Sequence, residues 1–180
     1  FDCRRNGISV VGGRNGRIRS ADIRDINGIA PRGGICLEPN FPDRPNRNIE
    51  ISDCRVRRDV QVWVYVTGPN ENVGLRELDI EAINSGVIIG GRPTDIRVTG
   101  SRIRSTRGGR EGAAIRFVGK PERTNGIRIE GNELLGGGYF VVDFAEIGHQ
   151  GLVVTGNRIT ASNPRVQGIA RIHGGTFTDN

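Results

Sequence analysis

Ile49-Glu50-Ile51-Ser52-Asp53-Cys54-Arg55-Val56 sets an apolar-x-apolar pair before a short turn and one more apolar residue, and the pattern returns along the chain. It recurs as Leu78-Asp79-Ile80, as Ile96-Arg97-Val98-Thr99-Gly100-Ser101-Arg102-Ile103, as Ile127-Arg128-Ile129-Glu130-Gly131-Asn132-Glu133-Leu134 and as Leu152-Val153-Val154-Thr155-Gly156-Asn157-Arg158-Ile159. Each copy supplies only two or three inward side chains before the chain turns, so no copy buries a core alone and each must stack on the next. Repetition of this kind marks a solenoid. The second apolar residues are Ile18, Ile51, Ile80, Val98, Ile129, Val154 and Ile172, roughly 18 to 33 residues apart. A repeat built around a helix holds its length nearly constant. Here Gly, Pro and Asn clusters absorb the variation and no segment keeps a 3.6-residue period, which points to parallel strands joined by loops of unequal length.

A second set of short apolar runs lies between the first: Gly34–Asn40, Val62–Val66, Gly86–Ile89, Ala114–Val118 and Phe140–Phe144. Each is expected to form a strand on another face of the same coil. Two or three strands per turn, spaced about 4.8 Å from their neighbours, predict a single all-β domain over residues 1–180, a parallel β-helix of about seven coils and roughly 30 Å in length. Asn132 and Asn157 occupy equivalent positions after a glycine, where their amides are expected to bond to the backbone and to each other along the stack.

Composition agrees with a turn-rich β protein. The 180 residues include 28 glycines, no methionine and a single lysine, Lys120. The formal net charge of +6 is therefore carried almost wholly by arginine, whose planar fork suits carboxylates, sulfates and phosphates. Charges of both signs alternate along most of the chain, the pattern of a solvated mixed surface, and nucleic acid is not an expected partner because aromatics do not interleave with the basic residues. The three cysteines, Cys3, Cys36 and Cys54, form no CxxC pair, which excludes a dense disulfide framework, and Cys54 reads as a buried thiol. No apolar run reaches membrane-spanning length, so no membrane partner is expected. No secretory leader is recognised at Phe1, and the chain is expected to be a fragment of a longer protein.

Alternation assigns the outward positions. On the main face one column reads Arg17, Glu50, Asp79, Arg97, Arg128, Val153 and Arg171, with Arg19, Ser52, Glu81, Thr99, Glu130, Thr155 and His173 beside it. Carboxylates among arginines, with Glu50, Asp79, Arg97 and Arg128 at the centre, could bind a uronic acid or act on a sugar. Cross-strand charge pairing on an exposed sheet gives the same pattern. On the second face Trp63 and Tyr65 are expected to project outward beside Glu38, with Arg116 and Asp143 further along. Exposed rings stack on sugars, whereas a covering loop or partner subunit would also account for them. Gly12-Gly13-Arg14-Asn15-Gly16 reads as a turn, and His149 and His173 show no triad or metal partners.

These repeats resemble the right-handed parallel β-helix proteins of the pectin-lyase-like superfamily. The opening Cys3–Val11 and the stretch Ala30-Pro31-Arg32-Gly33-Gly34-Ile35-Cys36-Leu37-Glu38-Pro39-Asn40 carry the similarity most clearly, and it extends over essentially the whole chain. Relatives often read Gly-Ile-Asp-Ile-Glu-Pro-Asn where this chain places Cys36. The resemblance implies a secreted or virion-surface protein that binds, and in the enzymes hydrolyses, eliminates or epimerises, an acidic polysaccharide. The polygalacturonase clusters, the epimerase Asp-Pro-His signature and the pectate-lyase calcium cluster are all missing, and Gly148-His149-Gln150-Gly151 is only a faint echo of one of them. The expected function is binding, with or without depolymerisation, of an acidic glycan. Glu38 and Asp143 are the candidate acid/base pair, Trp63 and Tyr65 the stacking platforms, and Arg116 the anion partner. No cofactor is required by these residues, and calcium is the one candidate ion. The alternative is a non-catalytic β-helix stalk of a phage fibre, tailspike or adhesin, for which a homotrimer is the expected assembly.

Overall fold

The computed structural model describes residues 6–26, 33–39, 41, 43–57, 61–64, 70–91, 93–109, 111–118, 124–144, 149–162, 167–170 and 176–180. They form a parallel β-solenoid with three sheets and, among the described residues, no helix. Two sheets stack seven successive strands each along their main path and the third stacks six, so the closed turns fall slightly short of the seven coils expected. Every pairing between strands is parallel.

The first sheet holds the five runs anticipated between the repeats, as the strands Gly33–Leu37, Gln61–Val64, Val87–Gly90, Ile115–Val118 and Phe140–Asp143, and adds Ile8–Val10 and Gln167–Ala170 at its two ends. The second holds the repeat strands themselves, and the third holds the short strand after each turn, such as Arg55–Arg57, Arg102–Ser105 and Glu133–Gly136. Alternation sends Ile18, Ile51, Leu75, Val98, Ile129, Val154 and Phe177 inward in one register row of the second sheet. Ile23, Val56, Ile80, Ile103, Leu134 and Ile159 do the same in the third. These rows close one continuous core, in which Phe117 and Phe144 stack with ring centroids 4.9 Å apart.

The register departs from the sequence expectation at one coil. Ile80 and Asp79 were aligned with the second sheet, but the strand there is Asn70–Arg76, and Asp79–Ala82 belongs to the third sheet. Val73-Gly74-Leu75 and Leu78-Asp79-Ile80 have the same alternation, and the glycine at the centre of the first weakens its signal. At the far end Phe177, in the strand Thr176–Thr178, takes the place assigned to Ile172, which lies outside the described residues.

The corner between the second and third sheets is a single residue deep. Ser20, Asp53, Glu77, Gly100, Gly131, Gly156 and Asp179 stack there, all with φ between 51° and 62°. The left-handed residue is the one before Asn132 and Asn157, not the asparagine itself. That conformation tilts the next side chain into the corner, where Asn132 and Asn157 are only 2% and 3% exposed. The Asn157 Oδ1 accepts from the Asn132 N–H at 3.0 Å and from its Nδ2 at 2.9 Å. The Asn157 Nδ2 donates to the Ile129 carbonyl at 2.8 Å and to Asn180 Oδ1 at 2.9 Å. In earlier coils Ser101 and the buried free thiol Cys54 fill the same corner. A second buried pair, Asn46 and Asn70, secures the corner between the first and second sheets, the Asn46 Nδ2 donating to Asn70 Oδ1 at 3.0 Å.

Replacing Asn157 by Ala strands two donors of Asn132 and the Ile129 carbonyl in a dry corner. The expected loss is about 2–4 kcal/mol of folding free energy, read by urea denaturation.

Candidate functional site

The outer faces of the three sheets differ in charge and accessibility. On the third sheet one outward row runs Asp22, Arg55, Asp79, Arg102, Glu133, Arg158 in strict sign alternation. Within and beside it Arg57 pairs with Asp79, Arg24 with Asp22, and Arg102 with Glu133 at 3.3 Å. The Arg57 guanidinium is raised above its ordinary pKa, first by its hydrogen bond to Asp79 and then by that residue's charge. Such a row neutralises itself. Asp79 therefore belongs to a cross-strand ion-pair ladder one sheet away from Glu50, Arg97 and Arg128.

On the first sheet Cys36, Trp63, Ile88, Arg116 and Asp143 share an outward register row, as alternation predicts. Solvent access does not follow from that placement. Cys36 and Asp143 are fully buried, Ile88 is 7% exposed and Arg116 is half-buried, so most of the described row is screened from water, while Ser9, which opens it, is exposed. The expectation that the Asp143 carboxyl meets solvent is corrected accordingly. The Trp63 backbone lies in the strand Gln61–Val64, while its side chain and the whole of Tyr65 fall outside the described residues. Glu38 follows the strand Gly33–Leu37 at the corner, half-buried, its N–H donating to the Val10 carbonyl at 2.9 Å.

The second sheet remains open. Its central outward row is Arg17, Glu50, Gly74, Arg97, Arg128, Val153 and Thr176, and its neighbour is Arg19, Ser52, Arg76, Thr99, Glu130, Thr155 and Thr178. The structure thus brings together Glu50, Arg97 and Arg128 of the expected residues and adds Gly74 and Arg76. Sequence reading missed both because the coil was assigned out of register. The 24-residue spacing from Asn46 to Asn70, which opens both strands, is the signal that identifies them.

Arginines outnumber carboxylates on this face. Arg76 reaches Glu50 at 3.5 Å and Arg128 reaches Glu130 at 3.3 Å. Among the described residues Arg17, Arg19 and Arg97 make no ion pair, and Arg97 stands directly opposite Arg128 in register. Two shallow depressions adjoin through Arg17, Glu50 and Arg76. One, about 430 Å³, is lined by Asn48, Asn72, Gly74, Arg97 and Thr99 as well, and the other, about 610 Å³, extends past Ser52 to Asp53 and Glu77. On its far side the face is bordered by a second left-handed column, Asn15, Asn48, Asn72, Asp95, Gly126 and Gly151. There the Asn48 Nδ2 donates to Asn15 Oδ1 and the Asn72 Nδ2 to Asn48 Oδ1, both at 2.8 Å.

Chemically, this is a solvent-open surface with five guanidinium groups in two rows, Arg17, Arg19, Arg76, Arg97 and Arg128, and two carboxylates, Glu50 and Glu130, among them. Among the described residues no cluster of three or more His, Cys, Asp and Glu converges as a metal site. No protein-family model matches the chain, and no curated protein matches it in sequence. Fold and surface chemistry therefore carry the functional reading.

The juxtaposed Arg97 and Arg128 repel across the rung, so Arg97→Glu is expected to raise stability by about 0.5 kcal/mol in denaturant titrations. Asp79→Ala, which removes an exposed ion pair on the third sheet, is expected to change it by less than about 1 kcal/mol.

Proposed function

We propose that this chain is a secreted or virion-borne β-helix protein of the pectin-lyase-like kind that binds an acidic polysaccharide along the outer face of its second sheet. Three parallel sheets wound about one core support the resemblance noted in the repeats. The observation that carries the reading is the contrast between two exposed faces of one solenoid. In its central outward row the third sheet alternates charge so that each residue stands opposite the other sign, whereas the central row of the second sets Arg97 directly opposite Arg128 and leaves Arg17 and Arg97 without a carboxylate partner among the described residues. Like charges directly opposite one another disfavour the fold. A row that keeps them serves an external anion better than it serves stability.

Each rung advances about 4.8 Å along the axis, so an extended chain of carboxylated sugars lying along the row meets Arg17 three rungs before the adjacent pair Arg97 and Arg128. Arginine grips a carboxylate through two parallel N–H bonds, which fixes orientation as well as charge. Glu50, held by Arg76, supplies an acceptor for sugar hydroxyls at the same level. Depolymerisation, by hydrolysis or β-elimination, is a further step on the same surface. Of the candidate carboxylates Glu38, Glu50, Asp79 and Asp143, Glu50 is the one that lines both depressions, the larger of which Asp53 and Glu77 also border.

The reading is tested by binding and product sizing with polygalacturonate, alginate and a neutral glucan, with and without calcium. The expected result is binding of the two uronate polymers, weakened steeply by salt as the arginines are screened. Arg17→Gln combined with Arg97→Gln is expected to weaken it at least about tenfold, a change of about 1.4 kcal/mol. Uronate binding that is unaltered by this double substitution, or equal affinity for the neutral glucan, would reject the assignment of this face. Absence of all glycan binding would instead favour a rod whose shape is its role.

A further inference from the structure

Gly74 lies at the centre of the seven-residue strand Asn70–Arg76 and occupies the outward row between Glu50 and Arg97. Nothing in the fold demands glycine there. Its φ lies outside the left-handed region, unlike those of Gly100, Gly126, Gly131 and Gly156 at the corners. A Cβ on Gly74 would meet only Glu50 Cγ, at an ordinary 3.9 Å, whereas one on Gly33, Gly86 or Gly136 would collide with its neighbours at 2.8 Å or less. Glycine in a strand interior weakens the strand through chain entropy and lost packing, and a glycine free of both backbone and steric requirements marks a place where another molecule approaches the backbone closely.

We propose that Gly74 is the floor of a subsite that accepts one carboxylated pyranose ring, and that the gap it leaves determines which sugar seats there. This rests on the polysaccharide reading above and identifies where along the face a single residue of the polymer is recognised. Glu50 and Arg97 bound the gap on the neighbouring rungs, about 9.6 Å apart across two strand spacings. Asn72 and Arg76, the same-face neighbours along the strand, bound it at about 13 Å from each other. The opening thus has the width of one sugar ring with its substituents, inside the depression of about 430 Å³ that these residues line. A ring laid flat places its C–H face on the Gly74 backbone. Its carboxylate then meets Arg97, which has no ion pair among the described residues, and its hydroxyls face Glu50, held at 3.5 Å by Arg76.

The decisive variant is Gly74→Val, which fills the gap with a residue that strands favour. Circular dichroism and thermal melting are expected to show an intact fold with an unchanged or higher melting temperature. Calorimetric titration with galacturonate and mannuronate oligosaccharides is expected to show affinity reduced at least about tenfold, with Gly74→Ala in between. The same oligosaccharides with their carboxyls reduced to alcohols are expected to bind the natural protein weakly and to be indifferent to Arg97→Gln. Should the natural protein and folded Gly74→Val bind the uronates equally, the subsite is wrong while the binding face stands. If Gly74→Val does not fold, Gly74→Ala decides by the same comparison. Carboxyl-reduced sugars that bind as tightly as the uronates would overturn the carboxylate assignment. A natural protein that binds none of them overturns the polysaccharide reading itself, and the subsite with it.

Discussion

The fold depends on keeping successive coils in register, and the corner between the second and third sheets does this with backbone geometry and buried amides together. Parallel strands slip readily if only apolar side chains hold them, because Ile, Leu and Val stack almost equally well one residue pair along. A left-handed residue in every coil removes that freedom, since a slipped strand would force a β conformation onto the turn. Non-glycine residues accept this at Ser20, Asp53, Glu77 and Asp179. The conformation carries strain of about 1 kcal/mol or more at each such site. At the glycine corners Gly131 and Gly156 the strain is absent, and the inward-facing amides of Asn132 and Asn157 that follow satisfy carbonyls and N–H groups that the turn would otherwise leave unpaired in the dry interior.

Once register is fixed, surface chemistry becomes a set of columns with a known step. This turns sequence alternation into long-range order: residues some 25 positions apart become direct neighbours. The third sheet uses that order to pair Asp22, Arg55, Asp79, Arg102, Glu133 and Arg158 in alternating sign. The second sheet, built on the same step, aligns Arg97 with Arg128 and leaves a gap at Gly74. Surface ion pairs contribute little to stability, so the difference between the two faces has small energetic weight for folding and large weight for what each face can bind.

Much of this could be read from the repeats. The apolar-x-apolar pairs and the short apolar runs between them anticipate the sheets, because alternation and β-branched residues are local signals. The structural role of Asn132 and Asn157 was equally visible, since both follow a glycine at equivalent positions. Legibility failed where two alternations compete within one coil: Leu78-Asp79-Ile80 reads as well as Val73-Gly74-Leu75, and the glycine that weakens the true strand is also its most informative surface residue. It failed again on the first sheet. Asp143 occupies the outward row that alternation predicts, yet what covers a strand lies elsewhere in the chain and leaves no mark in the strand's own residues.

From residues alone follow the all-β solenoid class, the parallel winding, the arginine-rich surface and the buried corner amides, because each rests on spacing within one or two coils. Tertiary structure alone decides which coil positions coincide, and with them the pairing of Asp79 with Arg57, the burial of Asp143 and the seating of Gly74 between Glu50 and Arg97. The reason is physical. Alternation has a period of two and cannot distinguish one strand of a coil from the next, whereas the hydrogen-bonded stack and its left-handed corners admit a single register.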